Sequence, residues 1–289
     1  MKPAPFDYAR PTSVAEALTL LAGDENAKVI AGGQSLVPLM AMRLARPTLL
    51  VDVNDLGLDG IDAQAVGVRI GACTRHRRLE RDPTLGRAAP LLQEAAGLIG
   101  YPAIRTRGTI GGSIAHADPV AELPAVLVAT GGSVVVRGAS GPREIAAADL
   151  FSGYFETTIA ADELLEEIRL PAVGDRHGAA FCEWAPRAGD FAVAGIALTI
   201  ERDPDGRCVA AQAAACGVAS VPLDCTPFVA PALGEPAATD GVLREVARAV
   251  RAGAAAGTDD DRAELLGLLA ARALHRAFAR SAGRYEVAA

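Results

Sequence analysis

The chain has 289 residues, 51% of them hydrophobic and 22% charged, which excludes a disordered or fibrous protein and fits two compact units, or one with a large appendage. No run of about twenty apolar residues is present, so a membrane-spanning helix is excluded. A net charge of −7 argues against a nucleic-acid partner, whose phosphates call for an excess of Lys and Arg.

Near the N-terminus no basic stretch leads into a long apolar one, so the segment does not read as a secretory signal and a cytoplasmic location is expected. Ser13 and Glu16 have capping-box spacing, and Val14, Ala17, Leu18 and Leu21 recur on one helical face, which predicts a short amphipathic helix ending at Gly23-Asp24. Lys28-Val29-Ile30-Ala31 reads as a short buried strand running into Gly32-Gly33-Gln34-Ser35, and residues 49–53 read as a second. Helix and strand alternate in this first stretch, up to about Asp59.

From about Ile61 to Pro171, strand-like runs occur at residues 66–70, 133–137 and 164–170, and Leu91, Leu92, Ala95, Leu98 and Ile99 fit the inner face of a helix. After that helix comes Ile104-Arg105-Thr106-Arg107-Gly108-Thr109-Ile110-Gly111-Gly112-Ser113-Ile114-Ala115-His116-Ala117-Asp118-Pro119, read as a glycine-rich loop. A third stretch begins after a connector over residues 171–178. There, residues 191–202 and 208–217 flank the turn Asp203-Pro204-Asp205-Gly206 and predict an antiparallel hairpin. Two helices are expected beyond it, near residues 241–251 and 259–280; the second has Asp259, Asp260 and Asp261 at its positive end and Arg272, Arg276 and Arg280 towards its negative end.

Five cysteines (Cys73, Cys182, Cys208, Cys216, Cys225) contain no Cys-x-x-Cys pair and read as buried free thiols rather than metal ligands. Both glycine segments could set backbone N–H groups against a diphosphate, because glycine permits close approach and left-handed angles. Each could equally be a tight turn and nothing more. Neither fits Gly-x-Gly-x-x-Gly or Gly-x-x-x-x-Gly-Lys-Ser/Thr, so the residues alone leave a phosphate-containing cofactor and a structural turn both open.

Ala31-Gly32-Gly33-Gln34-Ser35-Leu36 with Pro38-Leu39-Met40 and Arg43-Leu44-Ala45-Arg46-Pro47 resembles the first FAD loop of the medium, flavin-binding subunits of the xanthine dehydrogenase and carbon monoxide dehydrogenase family. Arg107-Gly108-Thr109-Ile110-Gly111-Gly112-Ser113 with His116-Ala117-Asp118-Pro119 and Glu122-Leu123-Pro124 is similar to the second, and Arg187-Ala188-Gly189-Asp190-Phe191-Ala192 is a third, weaker match. Order and spacing agree over nearly the whole chain.

The resemblance implies an α+β fold: a two-lobed FAD-binding domain of the vanillyl-alcohol oxidase type at 1–172 (lobes 1–59 and 60–172), then a smaller domain at 173–289 with a three-stranded antiparallel sheet and a helical bundle. It implies that Val29, Ile30, Ala31, Gly32, Gly33, Gln34, Ser35, Leu36 and Val37 hold the pyrophosphate of FAD, without a covalent link, from one side, and Thr109, Ile110, Gly111, Gly112 and Ser113 from the other. Ile99 and Leu165 align beside the flavin or adenine rings, Asp118 belongs to the second motif, and Glu122 stands at an acidic position that contacts the cofactor. Glu183 falls where several members carry a Lys against the isoalloxazine. His116 could tune the flavin or shuttle a proton, or simply brace the loop; His76, His177 and His275 read as surface or structural, and Arg187 and Asp190 as organisers of the domain junction.

In this family the substrate is hydroxylated at a molybdenum cofactor on a large subunit, and electrons reach FAD through two-iron two-sulfur clusters on a small one. The chain lacks the cysteines for the clusters and the length for the molybdenum domains. The resemblance therefore implies the FAD-binding subunit of a heterotrimeric molybdenum hydroxylase, assembled as a dimer of heterotrimers, in which the cofactor does the redox chemistry. A free-standing FAD oxidoreductase and a scaffold with structural glycines are the rivals.

Overall fold

The computed structural model describes residues 2–281. The first helix forms where the capping signal places it: α1 (Val14–Gly23) starts at Ser13, whose hydroxyl accepts from Glu16 N at 3.2 Å. The Glu16 carboxylate turns back to Thr12 N at 2.8 Å, one residue before the usual partner of a capping box. Around α1 lie β1 (Asp7–Ala9), β2 (Lys28–Ile30), α2 (Leu36–Ala41) and β3 (Leu49–Asp52). The strands make a parallel sheet in the order β1-β3-β2. The strand at residues 7–9 was not anticipated: three residues carry no periodicity, and only pairing with β3 makes them a strand.

A second sheet is antiparallel throughout and built from β4 (Ile61–Gln64), β5 (Gly67–Gly71), β6 (Ser133–Gly138), β7 (Gly141–Ala146) and a later strand over Leu164–Pro171, with β4 and β7 at its edges. Helices α3 (His76–Arg81), α4 (Leu85–Ala88), α5 (Pro90–Leu98), α6 (Pro102–Arg105), α7 (Ile110–His116) and α8 (Glu122–Ala129) run between β5 and β6. After β7 come α9 (Ala147–Leu150), the short hairpin β8 (Phe151–Gly153) and β9 (Glu156–Thr157), and β10 (Leu164–Pro171), the central strand of the sheet. Residues 110–116 are therefore helical, not loop. The two edge strands were missed because their residues are mostly exposed and show no buried face.

The third sheet has four antiparallel strands, β11 (His177–Trp184), β12 (Ala194–Arg202), β13 (Cys208–Cys216) and β14 (Leu223–Asp224), rather than three, because a two-residue strand pairs with Ala214 and Ala215. The hairpin turn at Asp203–Gly206 is closed by Asp203 N to Arg207 O at 2.9 Å, and Gly206 takes φ +82°. Strand β12 starts at Ala194, not at residue 191, and Phe191 is 74% exposed. Helices α10 (Asp240–Ala254) and α11 (Asp260–Ser281) cover one face of this sheet, and all five cysteines are buried free thiols.

The other face closes on the middle of the molecule. Phe181, Ala197, Ala214 and Cys216 share one apolar core with α5, α8 and the second sheet. The junction is pinned by Glu94 on α5, which accepts from Phe181 N at 3.0 Å and from Arg280 at 2.7 Å, and which also pairs with Arg276. These arginines were expected to serve the dipole of α11; their guanidinium groups instead satisfy a half-buried carboxylate on another element. The segment expected to organise the junction contributes Gly189, against the ring of Tyr101, while Asp190 N bonds only to Arg187 O.

Candidate functional site: two glycine turns and a buried acid pair

The chain leaves β2 at Ile30 and reverses before α2. Gly33 takes φ +70°, a left-handed angle that a side chain disfavours, and its carbonyl accepts from Val37 N at 3.1 Å. Gln34 folds back to donate to Gly32 O at 3.1 Å. The backbone N–H groups of Gly32, Gly33, Gln34 and Ser35 donate to no group among the described residues. Helix α2 likewise begins without a side-chain cap. Consecutive open amides at a helix start make a positive concavity suited to an anion.

The second turn is built differently. Thr109 caps α7, accepting from Gly112 N at 3.1 Å; Ile110 N donates to Thr74 O at 3.0 Å and Gly111 N to Ala72 O at 2.9 Å. A Cβ on Gly111 would lie 2.5 Å from Ala72 Cβ. Glycine at 111 is thus a packing requirement, and with Ser113 N donating to Thr109 O at 3.0 Å, four of the amides expected to face a phosphate are already spent. What this turn offers a ligand is the exposed Gly112 backbone and the Ser113 hydroxyl, which has no partner among the described residues.

The two turns meet. A Cβ on Gly32 would stand 2.3 Å from Arg107 O and 2.8 Å from Gly108 Cα, so the loops touch backbone to backbone. Two residues that sequence reasoning passed over hold them there: Arg75 donates to Arg107 O and, at 2.7 Å, to Asn54 Oδ1, and Asn54 Nδ2 donates to Ala31 O at 2.9 Å. Neither sits in a recognisable motif, so no local signal marked them. His76 is buried behind Gly108, and burial pushes its imidazole down to about 4. The Thr109 backbone lies near that ring and favours its charged form, but neither ring nitrogen meets full hydrogen-bond geometry, and the neutral form prevails.

Beyond α7 the chain carries a second polar group of residues. Asp118 accepts from Val120 N at 3.1 Å, and His116 tilts against Phe155 with ring centroids 5.0 Å apart. Glu122 opens α8 fully buried; burial first, and the neighbouring Glu183 second, raise its carboxyl to about 8. Burial raises Glu183, on β11, to about 7, and its Oε2 has no hydrogen-bond partner among the described residues. The two carboxyls flank the buried Cys216 thiol and share at most one negative charge near neutral pH. Ile99 ends α5 half-buried, whereas Leu165 is 7% exposed and belongs to the core of the second sheet. Two cavities, of about 210 Å³ beside His177 and about 650 Å³ on the outer face of the second sheet, adjoin neither turn.

Residues 4–173 match the sequence profile of the FAD binding domain in molybdopterin dehydrogenase. The chain belongs to that family. It is 37% identical to the carbon monoxide dehydrogenase medium chain of Afipia carboxidovorans, over 97% of this chain and 99% of that one. It is 44% identical to the 6-hydroxypseudooxynicotine dehydrogenase complex subunit alpha of Paenarthrobacter nicotinovorans, over 78% of this chain and 77% of the relative. Among solved structures, carbon monoxide dehydrogenase from Hydrogenophaga pseudoflava superposes with a TM-score of 0.91 at 36% identity, covering 97% of this chain and 99% of that one. Quinoline 2-oxidoreductase from Pseudomonas putida 86 does so at 0.90 and 31%, with the same coverage. The fold is the two-lobed FAD-binding type with a smaller α+β part after it, the cofactor is FAD, and the protein is an oxidoreductase flavoprotein of the molybdenum hydroxylases. Among the described residues no helix is long and apolar enough to cross a membrane.

Proposed function

We propose that this chain binds one FAD, non-covalently, across the two glycine turns and serves as the electron-exit subunit of a cytoplasmic molybdenum hydroxylase. The observation that carries the reading is the row of open amides at residues 32–35, whose first residue, Gly32, packs against Arg107 and Gly108. Val29, Ile30 and Ala31 bring the chain to that turn, and Leu36 and Val37 continue it into α2. Its N–H groups supply the donors for the diphosphate, while Gly112 and Ser113 close over it from the second lobe and Thr109, Ile110 and Gly111 hold that lobe in place. Ile99 offers an apolar edge to a ring, and Leu165 supports the sheet beneath. His116 and Asp118, with Glu122 and Glu183 whose carboxyls burial raises, place an acid cluster at one end of the site. Such a cluster favours an electron-accepting ring less than a Lys would, which lowers its tendency to take up charge.

When bound, FAD supplies the redox chemistry. Held there, it would link the two-iron two-sulfur clusters of a small partner subunit, and through them a molybdenum cofactor on a large one, to an external quinone, cytochrome, NAD or oxygen, while this chain's own residues bind and orient it. The parts are a FAD-binding domain at 1–172, with lobes meeting near residue 59, and a C-terminal flavoprotein domain from 173, whose residues 282–289 lie outside those described. The assembly is a dimer of heterotrimers. Purification of the chain at native expression levels tests this: visible flavin absorbance and co-elution with a molybdenum chain and an iron-sulfur chain are expected. A colourless chain that elutes alone and takes up no added FAD would sink the reading.

A further inference from the structure

The second turn is tied into its own lobe by a backbone ladder: His76 N to Gly108 O at 2.9 Å, Ile110 N to Thr74 O at 3.0 Å and Gly111 N to Ala72 O at 2.9 Å. Among the described residues the first turn has no such ladder to the second; it is held by the glycine contact at residue 32 and by a polar chain. That chain runs from Ala31 O through the Asn54 amide to the Arg75 guanidinium and on to Arg107 O. Asn54 is fixed in turn by Asp52, whose Oδ1 accepts from both Asn54 N, at 3.0 Å, and Asn54 Nδ2, at 2.6 Å; the other Asp52 oxygen accepts from Tyr8 on β1. Every member of the chain has a stated partner, and its two ends are the carbonyls that directly precede Gly32 and Gly108.

We propose that Arg75, acting through Asn54, is the positioning residue that fixes the spacing between the two turns and thereby the seat for the diphosphate of FAD. The inference rests on the FAD reading above and goes further, by locating the control of affinity outside both glycine segments. Arginine is required by geometry: a planar guanidinium donates in two fixed directions at once, to an amide oxygen on one lobe and a carbonyl on the other, which a lysine ammonium on a flexible stem does not reproduce. Losing the bridge frees Ala31 to move away from Arg107, so the contact of Gly32 with Arg107 and Gly108 loosens and the open amides at 32–35 lose their fixed place beside the second turn.

The test is titration of the full-length apoprotein with FAD, and with ADP as a competitor that carries the diphosphate and adenosine without the flavin, for wild type, Arg75→Lys, Asn54→Ala and the double variant. Each single variant is expected to weaken FAD and ADP in parallel by at least about tenfold, and the double variant to be no more than about threefold worse than the weaker single, because both act through one bridge. Melting of the apo chain is expected to move by no more than about 3 °C. FAD affinity unchanged in Arg75→Lys, or losses that multiply in the double variant, would overturn the proposal. So would a large fall in melting temperature with affinity retained. Should Arg75→Lys not fold, Asn54→Ala alone decides on the same criteria. A wild-type apoprotein that binds neither FAD nor ADP is the separate outcome that removes the parent reading, and this proposal with it.

Discussion

The two Gly-Gly turns look alike in sequence and are opposites in structure. At residues 32–35 the amides are open, and glycine serves a left-handed angle at Gly33 and a backbone contact at Gly32. At residues 109–113 the amides of Ile110, Gly111, Gly112 and Ser113 are consumed by the lobe itself, and glycine at 111 leaves room for Ala72. One turn is a set of donors awaiting an acceptor; the other is a well-packed helix start that presents a surface. A dipeptide shared by two loops therefore marks where a backbone must come close, without saying to what.

The largest break in this comparison is expected at their contact. Gly32→Ala sets a Cβ 2.3 Å from Arg107 O, which should cost about 3 kcal/mol of stability and abolish FAD retention together, read by denaturant unfolding and by flavin absorbance after gel filtration. Gly111→Ala, with its Cβ 2.5 Å from Ala72 Cβ, should cost about 2 kcal/mol while the folded fraction keeps FAD affinity within about threefold, since this turn contributes few donors. Were affinity to fall as far as in Gly32→Ala, the assignment of unequal roles would fail. Gly33→Ala should show the reverse pattern, a stability loss of only about 1 kcal/mol for the strained angle with FAD bound at least about tenfold more weakly, as measured by fluorescence titration.

The smallest effect concerns the acid pair beyond the second turn. Glu122 is raised to about 8 in the folded chain, so the folded state holds its proton more tightly than the unfolded one, and stability falls as pH rises from the ordinary carboxylate range through about 8. Glu183, raised to about 7, acts in the same direction over a narrower window. Glu122→Gln should flatten the fall between pH 6 and 9, raising the apo melting temperature at pH 9 by about 2 °C or more. A variant whose melting curve keeps the wild-type pH slope would show that the pair is not the source.

Much of the local plan was legible. Ser13 with Glu16 gave away α1, Asp203 to Gly206 the hairpin, and the charge asymmetry of residues 259–280 the long last helix, because each signal lies within a few residues of its effect. The places where backbone approaches closely were also readable, since glycine is the residue such places demand. What could not be read was any feature whose partner lies far along the chain. The strand at residues 7–9 exists because of β3, and the roles of Arg276 and Arg280 because of Glu94. The open or spent state of each amide, the bridge from Ala31 through Asn54 and Arg75 to Arg107, and the meeting of Glu122 with Glu183 depend on which surfaces the fold brings together. Sequence alone determined which segments curl, cap and turn, because propensity and short-range sterics act between neighbours. The tertiary structure decided which of the two Gly-Gly turns keeps its amides open, because hydrogen-bond satisfaction is settled only once every competing acceptor has been put in place.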